Sequence, residues 1–381
     1  MPFAAALSEH PLPTHAVGEV VGEVLERLGE EPDLVLLFVA APHTGAIEDI
    51  ASAVRQLLRP KVLVGCTAGT IVGVEREVED HPAISLWAGR MPTAEVHRLA
   101  AVRTPDGAAI TGFPARSELP ADAEAVIVLA DPFSFPADEL LDGLREQVGV
   151  DLPVVGGLAS AGRGPGGNRL VLDGHVLTDG AVAVVIGGVG VSTVVSQGCR
   201  PIGDPMVVTS ADGTMIKELA GRNALEKVQE TLRQLHPDDI ELAQRGLHLG
   251  RVIDERKVDF ERGDFLIRDV LGADPSTGAV AVGDQVEVGA TVQLQVRDAE
   301  SADEDLRHLL WARAADTALL FTCNGRGTHL FGTEDHDAKA LADALDRVPV
   351  AGMSCAGELG PVGGRSFLHS YTASVLLLHD R

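Results

Sequence analysis

Apolar runs recur along the chain with the same punctuation three times. Residues 34–40 (LVLLFVA) are apolar without interruption, the pattern of a strand covered on both faces. Ile47, Ile50, Val54 and Leu57 then follow at helical spacing, and Pro60 closes that helix. VLVG opens into a small-residue corner, Cys66-Thr67-Ala68-Gly69, and residues 83–89 (AISLWAG) form a closing strand. The plan returns with residues 125–131 (AVIVLAD), a helix carrying Leu140, Leu141, Leu144 and Val148, Pro153, VVGG, a corner at 158–162 and a strand at 181–188. It returns again with the apolar run 318–321 and the polar corner Cys323-Asn324-Gly325-Arg326-Gly327. A helix with Ala338, Leu341, Leu345 and Val348 on one face follows, then Pro349, a short strand at 350–352, the corner Ser354-Cys355-Ala356-Gly357-Glu358 and a last strand at 373–378. The unit is too long and too unevenly spaced for a solenoid. Strand-helix-strand units need a crossover, which is normally parallel and right-handed. The expected fold is therefore α/β, with pseudo-repeated strand-helix-strand units forming mixed sheets.

Between the repeats the pattern is weaker. A strand at 3–7 leads to a helix at 16–28, with Thr14 placed as its N-cap and Val17, Val20, Val21, Val24, Leu25 and Leu28 on its apolar face. A strand at 95–102 precedes a Pro- and Gly-rich connection at 104–120, and another strand covers 190–196. Gly198, Pro201, Gly203 and Pro205 break the pattern and mark a boundary, giving two domains, 1–200 and 201–381. Beyond it come a hairpin around Asp212-Gly213, a helix opened by Asn223 and Glu226 and stopped by Pro237, a β-rich stretch at 247–298 and a helix at 303–314.

Composition narrows the function. With 56 acidic against 31 basic residues, the formal charge is −25. That argues against nucleic acid, whose phosphates must be neutralised by Lys and Arg, and against an anionic membrane surface. The four cysteines include no CxxC pair and no disulfide framework. The N-terminal apolar patch is too short for a signal peptide and lacks a basic leader, and no run of about 18 apolar residues suggests a membrane span. A reducing cytoplasm fits.

In sheets of this kind ligands sit beyond the carboxyl ends of strands, where the small-residue corners lie. The expected ligand-binding set is Cys66, Thr67, Cys323, Asn324, Arg326, Ser354, Cys355 and Glu358. Arg326, between two glycines, offers a rigid fork for a carboxylate; its competing role is a structural pair with Glu358 or Asp316. Cys355 is reactive if it is partly exposed in a positive field, and otherwise a small core residue. Glu358 offers an acceptor for a ligand amine. Gly65, Thr67 and Gly69 mimic a nucleophile elbow without a partner His or Asp. GRGPGG at 162–167 is followed by a hairpin pattern, which excludes the dinucleotide fingerprint. Cys323 and His329 lack a metal-ligand spacing, so neither metal nor cofactor is expected.

Several segments together resemble the FIST domain proteins (F-box and intracellular signal transduction). They are LSEHPLPTHAVGEVVGEVLERL, PDLVLLFVA and VLVGCTAGTIVGVEREVE in the first half. In the second half they are GDFLIRDVLGADPSTGAVAV, VGATVQLQVRDA, LFTCNGRGTHLFG and VAGMSCAGELGPVGGRSFLHSYT. The resemblance covers nearly the whole chain as a FIST N-terminal and a FIST C-terminal domain. It implies a cytoplasmic sensory protein that binds a small molecule such as an amino acid, alone, fused to bacterial signalling output domains, or beside an F-box in eukaryotes. No output segment is left over here, so the implied partner is a separate signalling protein. Two other readings stand beside it: a protein-interaction adaptor, and an enzyme using Cys355, Cys323 or Glu358 in a Gly-rich pocket.

Overall fold

The computed structural model describes residues 2–104, 107–148 and 152–380. The chain forms two compact units. One holds the chain up to Val195, Leu306–Leu368 and the residues from Thr372 onward; the other holds Ser196–Asp305 with His369–Tyr371.

The first repeat runs β1 (Phe3–Ser8), α1 (Pro13–Leu28), β2 (Leu34–Ala40), α2 (Ile47–Leu58), β3 (Val62–Ala68), β4 (Thr70–Gly73), β5 (Arg76–Glu79) and β6 (Ile84–Gly89). The second runs β7 (Thr93–Thr104), β8 (Gly107–Thr111), β9 (Ala123–Ala130), α3 (Ala137–Val148), β10 (Val154–Leu158), β11 (Leu170–Leu172), β12 (His175–Leu177) and β13 (Ala181–Gly187). The third opens with β14 (Gly190–Gln197), after which the second unit intervenes in sequence. That unit contains β15 (Cys199–Asp212), β16 (Met215–Leu219), β17 (Arg222–Asn223), α4 (Ala224–Arg233), α5 (Pro237–Arg245), β18 (Leu247–Val252), β19 (Phe265–Asp274), β20 (Ala279–Val282) and β21 (Thr291–Arg297). The third repeat resumes after α6 (Ala299–Leu310) with β22 (Thr317–Cys323), α7 (Thr328–Phe331), α8 (His336–Ala344), β23 (Val350–Cys355), β24 (Glu358–Val362), β25 (Arg365–His369) and β26 (Thr372–His379).

Each repeat builds the same sheet centre. The strand before the helix pairs parallel with the strand after it, as the crossover requires, and antiparallel with the closing strand. The trios are β6-β2-β3, β13-β9-β10 and β26-β22-β23. The hairpin that follows each corner does not stay with its own repeat. Hairpin β4–β5 joins the third repeat on β23, β11–β12 joins the first on β3, and β24–β25 joins the second on β10. The exchange is cyclic, and it draws the ends of β3, β10 and β23 together.

One apolar core serves all three sheets, with Phe38, Ile127 and Phe321 in the same cluster, and the Trp87 indole N–H donates to Thr317 Oγ1 at 2.7 Å within it. The outer faces are covered by helices, α1 and α2 on the first sheet, α3 on the second, α6 and α8 on the third. Mixed sheets buried on both faces read as continuous apolar runs, which is why these strands are so legible. Close approach between parallel strands sets a second requirement. A Cβ on Gly352 would lie 1.8 Å from the Leu320 carbonyl oxygen. Gly352→Ala is expected to destabilise the unit by about 1–3 kcal/mol or more, read as a lower urea midpoint.

In the second unit the antiparallel strands run β15-β21-β18-β19-β20-β16-β17, and an extra β15–β16 pairing closes the sheet on itself. Its core joins Leu294, Val292 and Val282 to Val228 of α4. Asn223 caps α4, its side chain accepting from the Glu226 N–H at 3.2 Å.

Several local expectations change. Helix α1 has Leu12 at its N-cap position and Pro13 as first residue, so Thr14 lies inside the first turn. Proline at that position loses no hydrogen bond, and the hydroxyl cap is dispensed with. On α2 the buried residue is Leu58, while Leu57 is half exposed. The connection at 104–120 contains β8 and a 3-10 turn at Arg116–Glu118. Pro237 ends no structure by itself; it opens α5, which the apolar pattern did not reveal. Helix α6 starts four residues before the expected helix at 303 and ends at Leu310, and α8 ends at Ala344, before Val348. The side chain of Val148 lies outside the described residues. Two of the corners are also strand: Cys66, Thr67 and Ala68 belong to β3, and Ser354 and Cys355 to β23.

Candidate ligand pocket

The exchange brings three corners into contact. Ser160 accepts a hydrogen bond from the Gly69 N–H at 2.9 Å and donates to the Ser354 carbonyl at 2.6 Å. Ser354 Oγ accepts from the Thr70 N–H at 3.0 Å. Above this polar seam lies a cavity of about 180 Å³. Its walls come from Gly69, Thr70 and Ser160, from Glu77, Glu79 and Asp80 at the end of the imported hairpin, and from Thr322–Asn324, Arg326, Gly327, His329 and Ser354 of the third repeat.

The hairpin is fixed to the third repeat by charged contacts. Asp335 accepts from the Glu77 N–H at 2.8 Å and from Arg76 Nε at 3.2 Å. Glu79 accepts from the Thr328 N–H at 2.9 Å and from its hydroxyl. Gly327 has φ +65°, and a Cβ there would meet Glu79 Oε1 at 2.4 Å, so the contact requires glycine.

Arg326 is fully buried with Asp337, neither side chain keeping any exposure. Its Nε and Nη2 donate to the two Asp337 oxygens at 2.7 and 2.8 Å, and Thr322 Oγ1 also donates to Asp337 at 2.7 Å. Burial opposes the charge on Asp337, but the guanidinium beside it holds its carboxyl well below the ordinary range. The structural pairing of Arg326 therefore exists with an acid that the sequence reading did not name, in place of Glu358 or Asp316. Helix α8 supplies that acid from its first turn. One donor remains, since Arg326 Nη1 is buried without an acceptor.

Glu77 is its counterpart. The residue is 4% exposed and neither carboxyl oxygen receives a complete hydrogen bond, although the Asp337 N–H approaches. Burial, reinforced by the Asp337 charge, pushes its carboxyl up to about 8. Glu358 is fully buried behind the wall. Its Oε2 accepts from the Thr372 N–H at 3.0 Å and hydroxyl at 2.9 Å, Oε1 is left without a completed bond, and Cys323 is the thiol that approaches it. Burial pushes this carboxyl up to about 8 as well, against the pull of the Thr372 bonds.

Of the eight expected residues, Cys323, Asn324, Arg326 and Ser354 line the cavity. Cys66, Thr67, Cys355 and Glu358 are buried and do not. Cys66 packs in the shared core with its thiol toward Met353 Sδ at 3.0 Å, and burial pushes its pKa far up. Thr67 accepts from the Arg169 N–H at 2.9 Å. Cys355 has no exposure, and burial and the Glu358 charge raise its pKa. The sequence reading missed Glu77, Glu79 and Asp80, which reach the site only through strand exchange, and named the corner that holds Ser160 without placing Ser160 in the ligand-binding set. Among the described residues no cluster of His, Cys, Asp and Glu is arranged to hold a metal ion, and no helix is long and apolar enough to cross a membrane.

Comparison with known proteins identifies the fold. Residues 33–222 match the FIST N domain and residues 224–361 the FIST C domain. The chain is 45% identical over 390 residues to the uncharacterized protein Rv0628c of Mycobacterium tuberculosis, covering all of both chains. It is 45% identical over 375 residues to the uncharacterized protein Mb0898c of Mycobacterium bovis, covering 96% of this chain and 95% of the relative. FIST domains are linked in general to signal transduction and small-ligand sensing. By both domain matches, spanning most of its length, this chain belongs to the FIST family.

Proposed function

We propose that the cavity binds a small zwitterionic metabolite of the amino-acid class, and that the protein is a cytoplasmic sensor read by a separate signalling partner. The observation that supports this is the opposed pair in the cavity wall. Arg326 Nη1 is a buried donor without an acceptor, and Glu77 is a buried carboxyl whose oxygens complete no hydrogen bond, the Asp337 N–H only approaching. Buried polar groups are left in that state at high cost, so each is matched by whatever fills the cavity. A carboxylate suits the first and an ammonium group the second. The ammonium would also draw the proton off Glu77, giving a charge-assisted contact. A volume of about 180 Å³ suits a ligand of a few heavy atoms to about ten.

Signalling then follows from selection: a ligand that favours one arrangement of the chain shifts its population by its differential affinity. A thermal-shift screen against the common amino acids tests the reading. A ligand at about a hundred times its dissociation constant stabilises by roughly 2.7 kcal/mol, a shift of several degrees. The shift is expected to vanish in Glu77→Gln, which keeps the shape and removes the charge. A set of amino acids that moves neither protein, or both equally, overturns the assignment.

A further inference from the structure

The proposed ligand chemistry makes no use of the thiol of Cys323, which also lines the cavity. We infer that Cys323 is a nucleophile that hands its proton to Glu358 and adds to the electrophilic carbonyl carbon of a small polar compound held in this cavity. The inference rests on the cavity being a ligand site, and adds a ligand class to it.

Four features converge on that thiol. Cys323 is the one cysteine of the four that is not buried, and it lines the cavity. The Gly325 N–H points at its sulfur, 3.4 Å away, a donor suited to a thiolate. The Glu358 carboxyl lies within reach of that thiol, its Oε2 held by two bonds from Thr372 and its Oε1 completing no other bond. A carboxyl held this way, with burial raising it to about 8, is matched to a thiol for proton exchange near neutral pH. Arg326 Nη1, the open donor of the wall, is available to a developing oxyanion. The buried, unpartnered Arg326 Nη1 and Glu77 carboxyl point to a ligand independently of the cysteine.

The step balances without a co-reactant. The sulfur forms a bond to the carbonyl carbon while its proton passes to Glu358 Oε1. The carbonyl π pair moves to oxygen, which takes that proton back, leaving a hemithioacetal and the original carboxylate. No atom is lost and nothing is oxidised, so capture is reversible.

Alkylation of the full-length protein by iodoacetamide, mapped by mass spectrometry, tests the nucleophile without any ligand. Cys323 is expected to react at least about tenfold faster than glutathione at pH 8.5, where Glu358 is ionised, with Cys66, Cys199 and Cys355 unmodified. Its rate against pH is expected to bend near 8 with the Glu358 carboxyl. Glu358→Gln should abolish that bend while leaving far-UV circular dichroism unchanged; Glu358→Asp should restore part of it. The Arg326 charge that faces the thiol, and the neutral Cys355 thiol beside it, are left in place by both variants. A Cys323 rate at or below that of glutathione, or a pH profile indifferent to Glu358→Gln, overturns the thiol–carboxyl pair. Glycolaldehyde should slow the alkylation saturably and reversibly, and should stabilise the wild type but not Cys323→Ser. Equal stabilisation of both, or no protection, overturns the carbonyl step. Failure here leaves the amino-acid reading intact, because that reading is tested by Glu77→Gln and needs no thiol.

Discussion

Asp337→Ala is expected to destabilise the larger unit by about 3–5 kcal/mol, seen as a large drop in urea midpoint. The substitution strands a guanidinium that has no exposure and removes the partner of four contacts, two from Arg326, one from Thr322 and one with His336 Nδ1. A buried charge without a counter-ion is far costlier than the pair it came from, which can be nearly neutral against an apolar replacement. The companion variant separates these effects. Arg326→Met combined with Asp337→Leu should be more stable than Asp337→Ala alone, since it leaves no charge behind. A loss under about 1 kcal/mol in the single variant would mean that water reaches Arg326, against the sealed geometry described above.

The second large effect is on pH. Glu358 rises from its ordinary 4.5 to about 8 in the folded chain. Between those values the folded state keeps a proton that the unfolded state has released. Raising the pH through that window therefore disfavours folding; the stabilisation is complete below about 4.5 and lost above about 8. At about 1.4 kcal/mol for each tenfold, the loss is roughly 5 kcal/mol for this group. Glu77 acts in the same direction over the same window. Denaturant midpoints at pH 5, 7 and 9 should show the wild type falling relative to Glu358→Gln as pH rises, and the variant more stable than wild type at pH 9. Parallel curves for the two proteins would exclude a buried, ionising Glu358.

How much of this was legible follows from what each feature depends on. The strand centres were plain because a strand covered on both faces must be apolar at every position, as residues 34–40, 125–130 and 318–321 are. The parallel pairing within each repeat followed from the crossover helix. What sequence could not show was which strand a hairpin joins, because β4–β5 carries no label for β23. The site suffered most from this. Arg326 and Cys323 sit at a strand end of their own repeat and were found. Glu77, beside buried Val78 in a short hairpin strand, carries no local mark of the third repeat it joins. The corner at 66–69 was misjudged for a related reason. Small residues such as Cys66 and Ala68 suit a turn, but they also suit a strand packed against two neighbouring sheets.

The cyclic hairpin exchange also sets an order of events during synthesis. Gly73 and Ala351 are register partners, so the first hairpin is made long before the strand it will join exists. At about 5–20 residues per second the ribosome takes on the order of tens of seconds to bridge that gap. For the first part of this interval, until Leu170–Leu172 is made, the nascent first repeat exposes the free edge of β3, and throughout it carries an orphan hairpin whose valines lack β23. Exposed strand edges pair indiscriminately. A fragment ending before β23 is therefore expected to aggregate where the whole chain folds.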